Sequence, residues 1–139
     1  MALGAAIACP DRKVVHLQAD GSGMYTVQAL WSMAREKADV VIVLIKNDAY
    51  AILDLEMARV RENQANAKMK SLLELRNPTL DWVRISTGMG VPAVRAATAD
   101  EFHQQFEAAI GVKGPRLIEC QVGIPKEWLE LEEYIHRTR

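Results

Sequence analysis

Six consecutive apolar residues, Val40 to Ile45, stand out in a chain whose apolar positions otherwise recur mostly at helical spacing. An apolar run without alternation is what a strand covered on both faces of a parallel sheet presents. It stops abruptly at Lys46-Asn47-Asp48. Ahead of it, Ala2 to Cys9 reads as the end of a small-residue helix stopped near Pro10-Asp11. No capping residue precedes that helix, so the chain is expected to enter an element already under way, in a domain truncated at its amino side. Val14 to Leu17 predicts a short strand, Ala19 to Gly23 a tight loop, and Met24 to Lys37 a helix. In that helix Val27, Leu30, Trp31 and Ala34 form one stripe expected to be buried. Strand, helix, strand in this order is a βαβ unit, with a right-handed crossover.

Arg59 to Asn77 is polar, with a weak helical pattern from Met69 to Leu75, and predicts a mobile excursion over the surface. Leu80 to Thr87 suits a short helix closed by Gly88 and Gly90, and Pro92 to Ala97 a strand. Thr98-Ala99-Asp100-Glu101 is a capping box, in which Thr and Glu side chains satisfy free N–H groups. The helix it opens is expected to bury Phe102, Phe106 and Ile110, and Gly114-Pro115 turns the chain into a last strand, Arg116 to Val122. The whole predicts a three-layer, doubly wound, mostly parallel α/β sheet over residues 1–124 and a charged helical tail over 125–139.

Composition narrows the possibilities. With 139 residues the chain can bury one core. Its 17 Lys and Arg against 18 Asp and Glu create no field to draw it to nucleic acid or an anionic membrane. The longest apolar run is far too short to cross a bilayer, and no signal peptide is legible. Cys9 and Cys120 lie far apart with no metal-binding spacing, so reduced thiols in a cytoplasmic protein are expected.

Ligands of open α/β sheets bind beyond the carboxyl ends of the strands. Two such ends carry polar residues here, Asp20 and Asn47, 27 positions apart, enough for one helix and one strand between them. Gly21, Ser22 and Gly23 lead into a helix, where free N–H groups favour a phosphate. Asp20 opposes a bare phosphate: at about 4 Å the repulsion is roughly 1 kcal/mol in water and about 4 kcal/mol at an effective dielectric of 20. A divalent cation between them reverses that sign, and Mg2+ typically takes one or two protein oxygens together with phosphate oxygens. The pattern thus suits a metal–diphosphate site. The Gly-x-Gly-x-x-Gly dinucleotide fingerprint is absent. Asp-Gly and Asn-Asp are also common turn formers, so a plain strand-to-helix turn remains the alternative.

Ala19-Asp20-Gly21-Ser22 followed by Asn47 resembles the thiamine-diphosphate signature Gly-Asp-Gly-Ser…Asn-Asn. Tyr25 to Trp31, Asn47 to Leu53, Leu80-Asp81-Trp82, Gly88 to Val91 and Lys113 to Glu119 extend the likeness to acetolactate synthase large subunits and benzoylformate decarboxylases. It reaches to about Val122. The resemblance implies that Asp20, the Asn47 side chain and the Ala49 carbonyl ligate Mg2+. It also implies that Gly21 and Ser22 hold the diphosphate, that Tyr50 lies close to it, and that Ile52 and Leu53 face the thiazolium and substrate. It implies action on 2-oxo acids by the complete enzyme, in a homo-oligomer. The activating glutamate of the family comes from a pyrimidine-binding domain, which is not in this chain, so binding without catalysis is expected of these residues. Two positions depart from the pattern. Ala19 replaces the first Gly, at a cost of about 1–2 kcal/mol if that position needs a positive φ. Lys46 replaces the first Asn, bringing a charge that helps hold phosphate or disfavours the cation.

Other residues read as structural. His16 fits a core histidine on a buried strand, and His103 and His136 are scattered. Glu56 and Arg59 suit a solvated helix face, although substrate carboxylate contacts are conceivable there. Trp31, Trp82 and Trp128 read as core or interface anchors, and Glu127 to Glu133 as an amphipathic tail segment. Two further readings stand beside the enzyme fragment: a free-standing binding module without catalysis, and a receiver-like or nucleotide-binding α/β domain. The second lacks the acidic cluster that receivers place at their strand ends.

Overall fold

The computed structural model describes residues 1–60 and 67–123, without the side chains of 58–60. The expected tail, with Trp128 and His136, lies outside the described residues, as does the side chain of Arg59. The chain divides into two compact units, Met1–Lys46 with Asp81–Val122, and Asn47–Leu80 with Gly123–Arg139.

In the first unit, α1 (Ala2–Ala8) precedes β1 (Val14–Ala19), the one-turn helix α2 (Asp20–Gly23), a 3-10 turn (Met24–Thr26) and α3 (Ala29–Arg35). Then come β2 (Val40–Lys46), α6 (Trp82–Gly88), β3 (Ala93–Ala96), α7 (Ala99–Ile110) and β4 (Arg116–Gln121). The second unit supplies α4 (Ala51–Val60) and α5 (Ala67–Leu73) between β2 and α6. All strand pairs are parallel, in the order β1-β2-β4-β3. The chain crosses this sheet in one direction from β1 to β2 and back from β3 to β4. Right-handed crossovers therefore put α3 and α7 on opposite faces. Side-chain alternation agrees with that. Val41, Val43, Ile118, Cys120 and Ala96 form one core with Phe102 and Phe106 of α7. Ile42, Leu44 and Leu117 look the other way, onto a cavity they share with Leu30 and Met33 of α3 and with Trp82. The expected doubly wound α/β sheet is present.

Several elements differ from expectation for local reasons. Residues 20–23 are one helical turn rather than a loop, and the helix expected from Met24 starts in earnest only at Ala29. In α3, Leu30 and Met33 are buried while Trp31 is 54% exposed under the Arg35 guanidinium. β1 is an edge strand, and its burial alternates: Val14, His16 and Gln18 are half-buried, Val15 and Leu17 exposed. His16 thus lies on a half-covered strand, not a buried one. On α7 the capping Thr98 Oγ1 accepts from Glu101 N at 3.2 Å, while the Glu101 carboxylate accepts from Ala97 N, one residue ahead of the cap. Ala109, not Ile110, is the last buried residue of that helix. Gly90, which ends α6, has φ +86 and sits so near Ala34 that a Cβ would come within 3.2 Å.

In the second unit, Ala49 opposes Glu74 in an antiparallel bridge, with Tyr50 N donating to Leu73 O and Leu75 N to Asp48 O. The segment expected as a mobile excursion therefore contains a helix, α5, tied back to residues 48–50. No described helix is long and apolar enough to cross a membrane.

At the amino ends of the strands, Asp39 joins three segments. Its carboxylate accepts from Lys13 Nζ and from Gly114 N at 3.2 Å, with Lys113 Nζ at 3.0 Å. The Lys13 hydrogen bond above all holds the Asp39 carboxyl below its ordinary range, against the opposing effect of burial. Replacing Asp39 by Ala leaves the Lys13 ammonium with the Val112 carbonyl but no counter-ion, and should cost roughly 3 kcal/mol, measured by urea denaturation at pH 7. A loss below about 1 kcal/mol, the range of a surface pair, would show that the cluster is not a buried anchor.

Candidate functional site

Asp20 opens α2 directly beyond β1 and is 1% exposed. Its Oδ1 accepts from Gly21 N at 3.0 Å, while Gly21 and Gly23 are buried and Ser22 faces outward. The Ser22 hydroxyl donates to Gln18 Oε1 at 2.6 Å, with the Ala19 carbonyl at 3.3 Å, and Gln18 Oε1 also accepts from Ala19 N. Gln18 is thus a brace for the turn that sequence reasoning missed. Its only signal is its position two residues before Asp20, near the end of β1.

Ala19 pairs with Ile45 across the sheet, so Asp20 and Lys46 each follow a paired residue at the carboxyl edge. Both are buried. The Lys46 carbonyl accepts from Val122 N at 2.9 Å and continues the β2–β4 pairing. Ala19 has φ −95 and ψ 153, ordinary extended backbone. The strain expected if this position needed a positive φ is therefore absent, and a methyl group in place of glycine hydrogen is tolerated.

The other candidates fall in the second unit. Asn47 Oδ1 accepts from Ala49 N at 3.1 Å, an Asx-type turn, and Asp48 takes a left-handed φ of 58. The bridge of Ala49 with Glu74 is of the type in which the flanking residues exchange the hydrogen bonds. The Ala49 carbonyl consequently points away from the 73–75 segment. Tyr50 is half-buried, and Ile52 and Leu53, at the start of α4, are 53% and 47% exposed. Asp20, Gly21 and Ser22 therefore form one turn, and Asn47, Ala49 and Tyr50 another. Among the described residues no three His, Cys, Asp or Glu side chains gather as metal ligands.

The family model for the thiamine pyrophosphate enzyme C-terminal TPP-binding domain matches residues 1–120. The chain belongs to that family. It is 48% identical over 122 residues to a Mycobacterium tuberculosis protein with the provisional name acetolactate synthase large subunit IlvX, covering 87% of this chain and 24% of that protein. A benzoylformate decarboxylase of Pseudomonas aeruginosa is 33% identical over 129 residues, covering 93% of this chain and 22% of that one. Among solved structures, a thiamine diphosphate-dependent 4-hydroxybenzoylformate decarboxylase of Rhodococcus jostii superposes with a TM-score of 0.79 at 34% identity, over 90% of this chain and 22% of the other. The chain thus spans under a quarter of the length of these relatives.

His16, on the half-covered face of β1, has its pKa lowered, first by burial and then by the amino-terminal charge. A histidine whose folded pKa lies below its unfolded value favours the neutral folded form, so stability should fall as pH drops from about 7 through 6.5. Urea midpoints at pH 7.5 and 5.5 should differ less in His16→Gln than in the parent. An equal difference in both would remove His16 as the cause.

Proposed function

We propose that the chain binds the Mg2+–diphosphate end of thiamine diphosphate, as the cofactor-binding part of an enzyme acting on 2-oxo acids by decarboxylation or carboligation. The observation that carries this reading is a buried carboxylate, Asp20, set at the carboxyl end of a parallel strand in a turn with two buried glycines. A divalent cation between this carboxylate and a diphosphate turns their mutual repulsion into attraction, and Mg2+ takes oxygen donors of this kind. The residues fit the group: Ala19 is unstrained, Gly21 and Gly23 keep the turn slim, and the Ala49 carbonyl is turned away from its bridge.

In this reading Asp20, the Asn47 amide oxygen and the Ala49 carbonyl hold Mg2+. Gly21 and Ser22 receive the diphosphate and Tyr50 borders it. Ile52 and Leu53, both apolar and exposed, offer greasy contact for the thiazolium side and the substrate. Bound thiamine diphosphate supplies the nucleophilic carbon and electron sink for bond cleavage next to a 2-oxo acid carbonyl. The protein residues named here bind and orient. A pyrimidine-binding domain outside these residues, and a second subunit in a homo-oligomer, complete the assembly in a cytoplasmic enzyme. A non-catalytic binding module is the second reading, favoured by one observation: a buried Lys46 at the strand end beside Asp20, where the signature has Asn.

Titration calorimetry with thiamine diphosphate and Mg2+ tests the reading. Binding is expected to require Mg2+, and Asp20→Ala should weaken it at least ~30-fold, about 2 kcal/mol, the scale of a lost charge-assisted contact. Absence of binding by the parent chain with both ligands present contradicts the proposal and favours the second reading. Light scattering at high protein concentration should report at least a dimer, and a strict monomer would contradict the predicted self-association.

A further inference from the structure

The turn that carries Asp20 rests on a side chain 59 residues beyond Gly23. Trp82, 2% exposed, lays the edge of its six-membered ring against Gly23. A Cβ built on Gly23 would lie 2.7 Å from Trp82 Cη2 and 3.1 Å from Cζ2. A contact of 2.7 Å is essentially never seen for a real Cβ, and both ring atoms belong to a rigid plane. The absence of a side chain at residue 23 and the presence of an indole at residue 82 are therefore one steric fact.

The indole is held from behind. Trp82 N donates to Glu119 Oε2 at 3.1 Å, and Glu119, on the inner strand β4, is fully buried. Glu119 Oε1 accepts from Arg95 Nε at 2.6 Å, and the Arg95 guanidinium also lies 3.6 Å from Asp81, whose carboxylate caps α6 through Arg84 N. Glu119 raises the pKa of Arg95, which keeps the guanidinium charged. The indole N–H has no protein acceptor among the described residues, so shape and this backbone tie place the ring. The turn is also braced by Gln18 through Ser22. The turn thus meets a polar brace on β1 and an aromatic ring carried on α6.

We infer that Trp82 is a positioning residue for the diphosphate-binding turn, with Glu119 and Arg95 fixing the depth at which its ring meets Gly23. This rests on the proposed thiamine diphosphate site, but the packing it invokes exists without ligand. A bound diphosphate is recognised by main-chain N–H groups at sub-ångström tolerance. Moving the ring should shift those groups and weaken the diphosphate contact, while residues outside the turn stay in place.

A size exchange tests this in the full chain. Gly23→Ala should lower affinity for Mg2+–thiamine diphosphate by about tenfold or more and raise amide hydrogen exchange at residues 21–23. Trp82→Phe removes Cζ2 and Cη2, and should by itself cost about three- to tenfold in affinity with faster exchange at the same amides. In the double variant the new methyl occupies the space the indole vacated. Its affinity and exchange should return to within about threefold of the Trp82→Phe values, far short of the product of the two single losses. Affinities are read well below each melting transition, so that global unfolding does not enter. If Gly23→Ala alone fails to fold, recovery of folding in the double variant supports the inference, and failure to recover overturns it. Strictly multiplicative losses, or unchanged exchange at residues 21–23 in Trp82→Phe, also overturn it. Should the parent chain bind no cofactor, the functional proposal falls, while the exchange measurements still decide whether Trp82 sets the turn.

Discussion

A carboxylate withdrawn from water at the end of a parallel strand is the constraint around which the first unit is arranged. Asp20 is nearly inaccessible, and a buried ionised group is tolerated only with compensating partners. The sheet brings Lys46 to the neighbouring strand end, and the turn presents its own N–H groups and two glycines beside it. The same logic explains why stability is secured elsewhere. Asp39 ties three chain segments at the opposite end of the strands, and Glu119 anchors α6 to the sheet interior.

Strand positions were legible because burial on both faces leaves an unbroken apolar run, as in Val40–Leu44. The Thr98 cap and the end of α6 were legible because both depend on residues within one helical turn. Legibility failed where tertiary position decides. Nothing local distinguishes the edge strand β1, with its open Val15 and Leu17, from a covered one. Leu30 and Met33, not Trp31, carry the buried side of α3, and apolar spacing alone does not decide which flank of a helix meets the sheet.

The candidate site divides in the same way. Asp20, Gly21 and Ser22 were singled out by their order in the chain, and residues 1–120 match a TPP-binding domain. Whether Ala19 is tolerated depended on a backbone angle, and that angle proved ordinary. Gln18 and Trp82 were not legible as parts of the turn. Gln18 acts through its side-chain rotamer, and Trp82 reaches Gly23 only after the crossover through the sheet has been made. Long-range braces of this sort leave no periodic trace.

The central claim is that an acid and an amide from two different turns share one ion. A crystal structure of the chain with Mg2+ and thiamine diphosphate measures that directly. The account predicts a single ion with an Asp20 carboxylate oxygen, the Asn47 Oδ1 and the Ala49 carbonyl each at about 2.1 Å, the remaining positions filled by diphosphate oxygens and water. An ion bound without Asp20, or an Asn47 side chain still turned onto its own Ala49 N–H and away from the metal, would contradict it.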